Sequence, residues 1–105
     1  MDEADRTYDV KITDIAKEQL IAHSRFLTEV SVKAANRLVD DFLESARTLS
    51  QFPERCPWLV HEDIPFQKYR KIMFGKYHMA LFQIRDSVVY VTAVVDCRQD
   101  YSWLL

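Results

Sequence analysis

Glycine occurs once in the 105 residues and proline three times. So few breakers exclude collagen-like, low-complexity and loop-dominated chains. A single glycine also leaves nothing from which to build a glycine-rich phosphate loop. The two cysteines, Cys56 and Cys97, are too few for a disulfide framework and lack paired zinc-ligand spacing. No run approaches the roughly 18 consecutive apolar residues of a membrane helix. The acidic start Met1-Asp2-Glu3-Ala4-Asp5-Arg6 lacks the charged-then-apolar order of a secretion signal. Basic charge is not in surplus either: 14 Lys and Arg face 16 Asp and Glu, a formal net charge of -2. That argues against a general nucleic-acid coat protein. These absences point to a cytoplasmic protein in a reducing compartment, with no membrane partner.

What is present is a chain that can bury a core. Hydrophobic residues make up 49% and aromatics 12%, which excludes wholesale disorder. The length fits one domain over 1–105, with no internal repeat or linker.

Tyr8-Asp9-Val10-Lys11-Ile12 alternates apolar and polar residues and predicts a half-buried strand. Thr13 is placed to cap a helix, with Asp14 at the positive end of its dipole. Ala16, Leu20, His23, Leu27 and Val30 follow at helical spacing. Ser31 predicts a second cap, after which Val32, Ala35, Leu38, Val39, Phe42, Ala46 and Leu49 form an apolar stripe. The two helices make a tight antiparallel hairpin from about Asp14 to Ser50.

Phe52-Pro53-Glu54-Arg55-Cys56-Pro57 ends the second helix, because proline donates no backbone hydrogen bond. A loop anchored by Trp58 and Leu59 runs through Pro65. Three strand-like runs follow, about Lys68–Phe74, Tyr77–Ile84 and Val88–Val95, with turns at Gly75 and Asp86-Ser87. Strict alternation puts Val89, Val91, Ala93 and Val95 on one face beneath the helices, and Tyr90 and Thr92 on the other. The order β-α-α-β-β-β predicts an α+β fold: an N-terminal strand, a helical hairpin, then a three-stranded antiparallel meander. Its shared core is expected to hold Leu20, Leu27, Leu38, Phe42, Leu49, Val91 and Ala93.

Charge is uneven along this plan. Residues 1–50 carry seven basic and ten acidic side chains, whereas residues 51–105 carry seven and six. Lys68, Arg70, Lys71 and Lys76 fall within nine residues free of acids. They read either as a charged strand edge that discourages mispairing or as an anion-facing patch. His23, His61 and His78 lie on a helix, a loop and a strand without metal-ligand spacing, so no metal and no cofactor is expected.

Taken together, several segments are similar to the RelE/ParE family of type II toxin–antitoxin toxins, in its ParE-like branch of plasmid stabilisation proteins. They are the strand ending in Ile12-Thr13, the hairpin, its closure Leu49-Ser50-Gln51-Phe52-Pro53-Glu54-Arg55, Tyr69-Arg70-Lys71, Gly75-Lys76-Tyr77-His78, the valine-rich strand and Asp96-Cys97-Arg98-Gln99-Asp100-Tyr101. The resemblance runs from about Tyr8 to Tyr101. It implies growth arrest relieved by a cognate antitoxin protein, with a heterotetramer or higher complex among the assemblies.

The resemblance leaves two targets open. RelE-like members cut mRNA on the ribosome, and ParE-like members inhibit DNA gyrase. Cleavage by a 2′-OH needs a base, an acid and cations for the phosphorane. By resemblance, Lys68 and Lys71 take lysine positions and Arg98 the late arginine. His78 stands where the family arginine follows the glycine–tyrosine pair; it serves acid–base work but gives no permanent bidentate clamp. Tyr101 lies closer to Arg98 than the RelE-like spacing, which falls on Leu104. A catalytic set of His78, Arg98 and Tyr101 is thus the RelE-like alternative. The acidic balance and the long hairpin favour the gyrase inhibitor, with Lys68, Arg70, Lys71, Lys76, Arg98 and Tyr101 contacting the target. A degenerate member that only binds antitoxin is a third reading. Trp58, Trp103, Leu104 and Leu105 are the candidate apolar surface for the antitoxin.

Overall fold

The computed structural model describes residues 7–99. Strand β1 (Asp9–Ile12) is followed by helices α1 (Asp14–Thr28) and α2 (Val32–Thr48), then strands β2 (Arg70–Phe74), β3 (His78–Arg85) and β4 (Val88–Asp96). The α+β order expected from the sequence is the order observed. Both caps form: the Thr13 hydroxyl accepts from Ala16 N, and the Ser31 hydroxyl from Ala34 N. Beyond α2 a single 3-10 turn, Pro53–Arg55, follows Phe52, whose φ is 48°. Arg55 explains why this closure holds. Its guanidinium donates to the carbonyls of Gln51 at 2.9 Å and Phe52 at 3.1 Å, and to the Thr48 hydroxyl at 2.9 Å, tying the turn to the end of α2.

The sheet order is β1-β4-β3-β2, with β1 parallel to β4 and the other pairs antiparallel. Gly75 turns β2 into β3 at φ +60°. A Cβ there would touch nothing nearer than Leu38 Cδ1 at 3.7 Å, so backbone conformation rather than space favours glycine. The helices cover one face, where Leu20, Leu38, Phe42, Ala46 and Leu49 meet Phe74, Ala80, Phe82, Val89, Val91 and Val94. The loop before β2 covers the other, where Leu59 and Ile64 meet Met79, Leu81, Ala93 and Val95.

Ala93 and Val95 are therefore not beneath the helices, as strict alternation predicted. Phe82 pairs with Val91 but Leu81 pairs with Ala93, so Thr92 is an extra residue in β4. This bulge inverts every side chain after it. It sits where β1 ends, since Ile12 is the last β1 residue to pair, with Val91. There the Thr13 amide donates to Val91 O at 3.0 Å, and the Gln19 side chain accepts from Val94 N at 2.8 Å. Helix α1 thus takes over the strand edge that β1 leaves.

Candidate functional site

The inverted end of β4 creates the site. Asp96 closes β4 opposite His78, the first residue of β3. Both are polar yet only 7% exposed. His23, one turn beyond Leu20 on α1, reaches down so that its Nδ1 lies 3.1 Å from Nε2 of His78. The rings meet edge to face with centroids 5.1 Å apart. One neutral ring donates and the other accepts, so the pair shares one proton. Asp96 is held in turn by Arg98: Oδ1 accepts from the backbone N at 2.9 Å and from Nε at 3.0 Å, and Oδ2 from Nη2 at 2.7 Å. The Arg98 guanidinium also lies 4.2 Å over the Tyr77 ring.

These contacts set the ionisation of the cluster. The hydrogen bond from Arg98 outweighs burial and brings the Asp96 carboxyl from an ordinary 3.8 down to about 2. Burial pushes His23 below its ordinary value, against the pull of Asp96. Burial also pushes His78 down, helped by His23 and Arg98 and opposed by Asp96. Because the folded histidines hold protons less tightly than the unfolded chain, acid favours unfolding as pH falls through about 6.5. Asp96 acts with the same sign at lower pH: its stabilisation is present above about 4 and fades toward about 2. The protein should therefore show a lower urea midpoint at pH 5.5 than at pH 7.5. Replacing His23 with glutamine should flatten that slope. An unchanged slope would mean that the histidines titrate alike in both states.

Beside the cluster runs a cleft of about 1090 Å³ between α2 and the β2–β3 turn. Leu38, Phe74 and Tyr77 line it together with Lys33, Arg37 and Lys76. The family described as ParE toxin of type II toxin-antitoxin system, parDE, matches residues 10–101. The chain belongs to this ParE family. One solved structure, "Chromosomal ParDE TA system from P. aeruginosa", shares the fold with a TM-score of 0.69. The match has 17% sequence identity and covers 86% of this chain and 96% of that one. No curated protein matches.

Within this ParE-family fold the described residues among those singled out from sequence do not all lie together. His78 and Arg98 meet through Asp96, and Lys76 borders the same cleft. Arg70 is committed elsewhere. Its Nη1 donates to Glu54 O at 3.1 Å and Cys56 O at 2.7 Å, and its guanidinium stacks 3.9 Å over half-buried Trp58. It ties the loop to β2, and Trp58 is the platform beneath it. Lys71 pairs with Leu81 and so projects from the loop-covered face, away from His78. The Lys68 ammonium lies 5.3 Å from the Tyr69 ring centroid. Tyr101, Trp103, Leu104 and Leu105 fall outside the described residues.

His23 and Asp96 are the members that sequence reading missed. His23 had a signal, since it occupies the apolar stripe of α1 and must face the sheet. Asp96 had none, because alternation without the bulge places it on the wrong face.

Proposed function

We propose that this ParE-family toxin is neutralised by a cognate antitoxin and arrests growth by inhibiting DNA gyrase rather than by cutting RNA. One observation carries the choice of target class: His78 and Arg98, the acid–base group and cation of the nuclease alternative, are both held in contacts within the chain. His78 is 7% exposed and bonded to His23. Arg98 is paired with Asp96 through three hydrogen bonds. An inhibitor needs a surface and no free acid or base. Arg98 supplies part of one, because its side chain remains 60% exposed while paired. Lys76 extends that surface, and cations at a rim act on association rate and fit. The apolar floor of the cleft is edged by Lys33, Arg37, Lys76 and Arg98 against Asp41 and Glu44, a basic excess that suits an acidic amphipathic antitoxin segment that folds as it docks.

Expression of the full chain without antitoxin should give filamentation and DNA damage, and purified protein should block gyrase supercoiling. Arg98→Ala should weaken both, whereas His78→Gln, in folded protein, should leave them near wild type. Cutting of mRNA in the ribosomal A site, lost by about 10²–10⁴-fold in His78→Gln, with supercoiling untouched, would overturn this reading in favour of the nuclease.

A further inference from the structure

Of the described cavities and side-chain clusters, the His23–His78–Asp96 group has a geometry that hydrogen bonding alone does not exhaust. One ring nitrogen of His23, one of His78 and a carboxylate oxygen of Asp96 all lie within 4.8 Å of one another. They come from α1, β3 and β4, three elements whose packing fixes the spacing. The two ring nitrogens are 3.1 Å apart. Two nitrogens bound to one zinc ion at about 2.0–2.1 Å and a tetrahedral angle stand about 3.3–3.4 Å apart, so the rings need part by only a few tenths of an ångström.

We propose that His23, His78 and Asp96 bind one divalent transition-metal ion of the zinc class. Two imidazoles and one carboxylate make a borderline nitrogen–oxygen donor set, which suits zinc, cobalt or nickel and not magnesium. Neither ring has to lose a proton: the one between them moves to the other nitrogen of its own ring, leaving two lone pairs facing the ion. Asp96 is already ionised, and each of its oxygens has two acceptor positions. Arg98 fills both on Oδ1 but only one on Oδ2, so Oδ2 retains a lone pair for the metal. Arg98 then orients the ligand from outside, as hydrogen-bonded partners of metal carboxylates do. A cavity of about 290 Å³, walled by Phe26 and Gln99 as well as the three ligands, leads from solvent to the cluster. It gives the ion an entry path and leaves room for water as the fourth ligand. The proposal is independent of the target of the toxin.

The test is titration of the full metal-free chain with zinc chloride, followed by calorimetry and thermal unfolding, with magnesium chloride as control. One zinc per chain and a raised unfolding midpoint are expected, with no effect of magnesium. His23→Gln and Asp96→Asn should each weaken zinc binding by at least about 100-fold, since losing an outer partner alone costs about 10–100-fold. Cys97→Ser should bind like wild type. Failure of wild type to bind zinc stoichiometrically overturns the proposal, as does unchanged affinity in both ligand variants. If those variants do not fold, the wild-type cobalt complex decides. Paramagnetic broadening centred on His23 and His78 supports the site, and broadening at His61 or the cysteines rejects it.

Discussion

Phe42→Ala should cost about 3–5 kcal/mol of stability, the sum of lost burial and the cavity left behind. Phe42 is 1% exposed at the centre of the α2 stripe. Its ring stands edge to face with Phe74 at a centroid distance of 5.4 Å, joining the hairpin to the sheet. Neighbours on both α2 and β2 are fixed by their own elements, so collapse into the void is limited. Urea unfolding of both proteins measures the difference. A loss under about 1 kcal/mol would show that the site refills and that the ring is not what joins the layers. Phe42→Leu, which keeps most of the volume, should cost clearly less.

Deletion of Thr92 should cost about 1–3 kcal/mol and leave every face as it is. With the extra residue gone, Ala93, Val94, Val95 and Asp96 follow Val91 in plain alternation and keep their partners Leu81, Ala80, Met79 and His78. Val94 stays buried under the helices, and Asp96 stays opposite His78. What goes is the Thr92 hydroxyl's 3.3 Å bond to Leu81 O, the Thr92 carbonyl that accepts from Thr13 Oγ1 at 3.4 Å, and the fit of α1 to Val91 O and Val94 N across the bulge. Thr92→Ala is the control. It keeps the bulge and loses only the hydroxyl's bond, worth about 0.5–1.5 kcal/mol. A loss above about 4 kcal/mol for the deletion in urea unfolding would mean that the bulge itself, and not the ladder around it, holds β4 in register.

The same residue marks where sequence reading stops. The helices were legible down to their caps, because Thr13 and Ser31 act through bonds to backbone three residues away. The strands were legible as runs, and Gly75 as a turn, for equally local reasons. The face of Ala93 and Val95 was not legible, because the bulge answers to the end of β1 and the start of α1, far away in sequence. Nor was the separation of the cations. Adjacent strand positions alternate faces, so Arg70 and Lys71 part company however close they stand in the chain. His78 was visible as a titratable group, but its partners lie on two other elements, 55 residues away in the case of His23.

The pairing of β1 with β4 also has a consequence in time. Val10 finds its partner Val89 only about 80 residues further along the chain, and at roughly 5–20 residues per second that is an interval of about 4–16 s during synthesis. Until β4 emerges the sheet lacks the strand that joins β1 to β3. The hairpin, made early and stable only against that sheet, must wait with its apolar stripe uncovered. A nascent chain of this topology is thus inert and vulnerable for most of its own translation, and it acquires its final surface all at once.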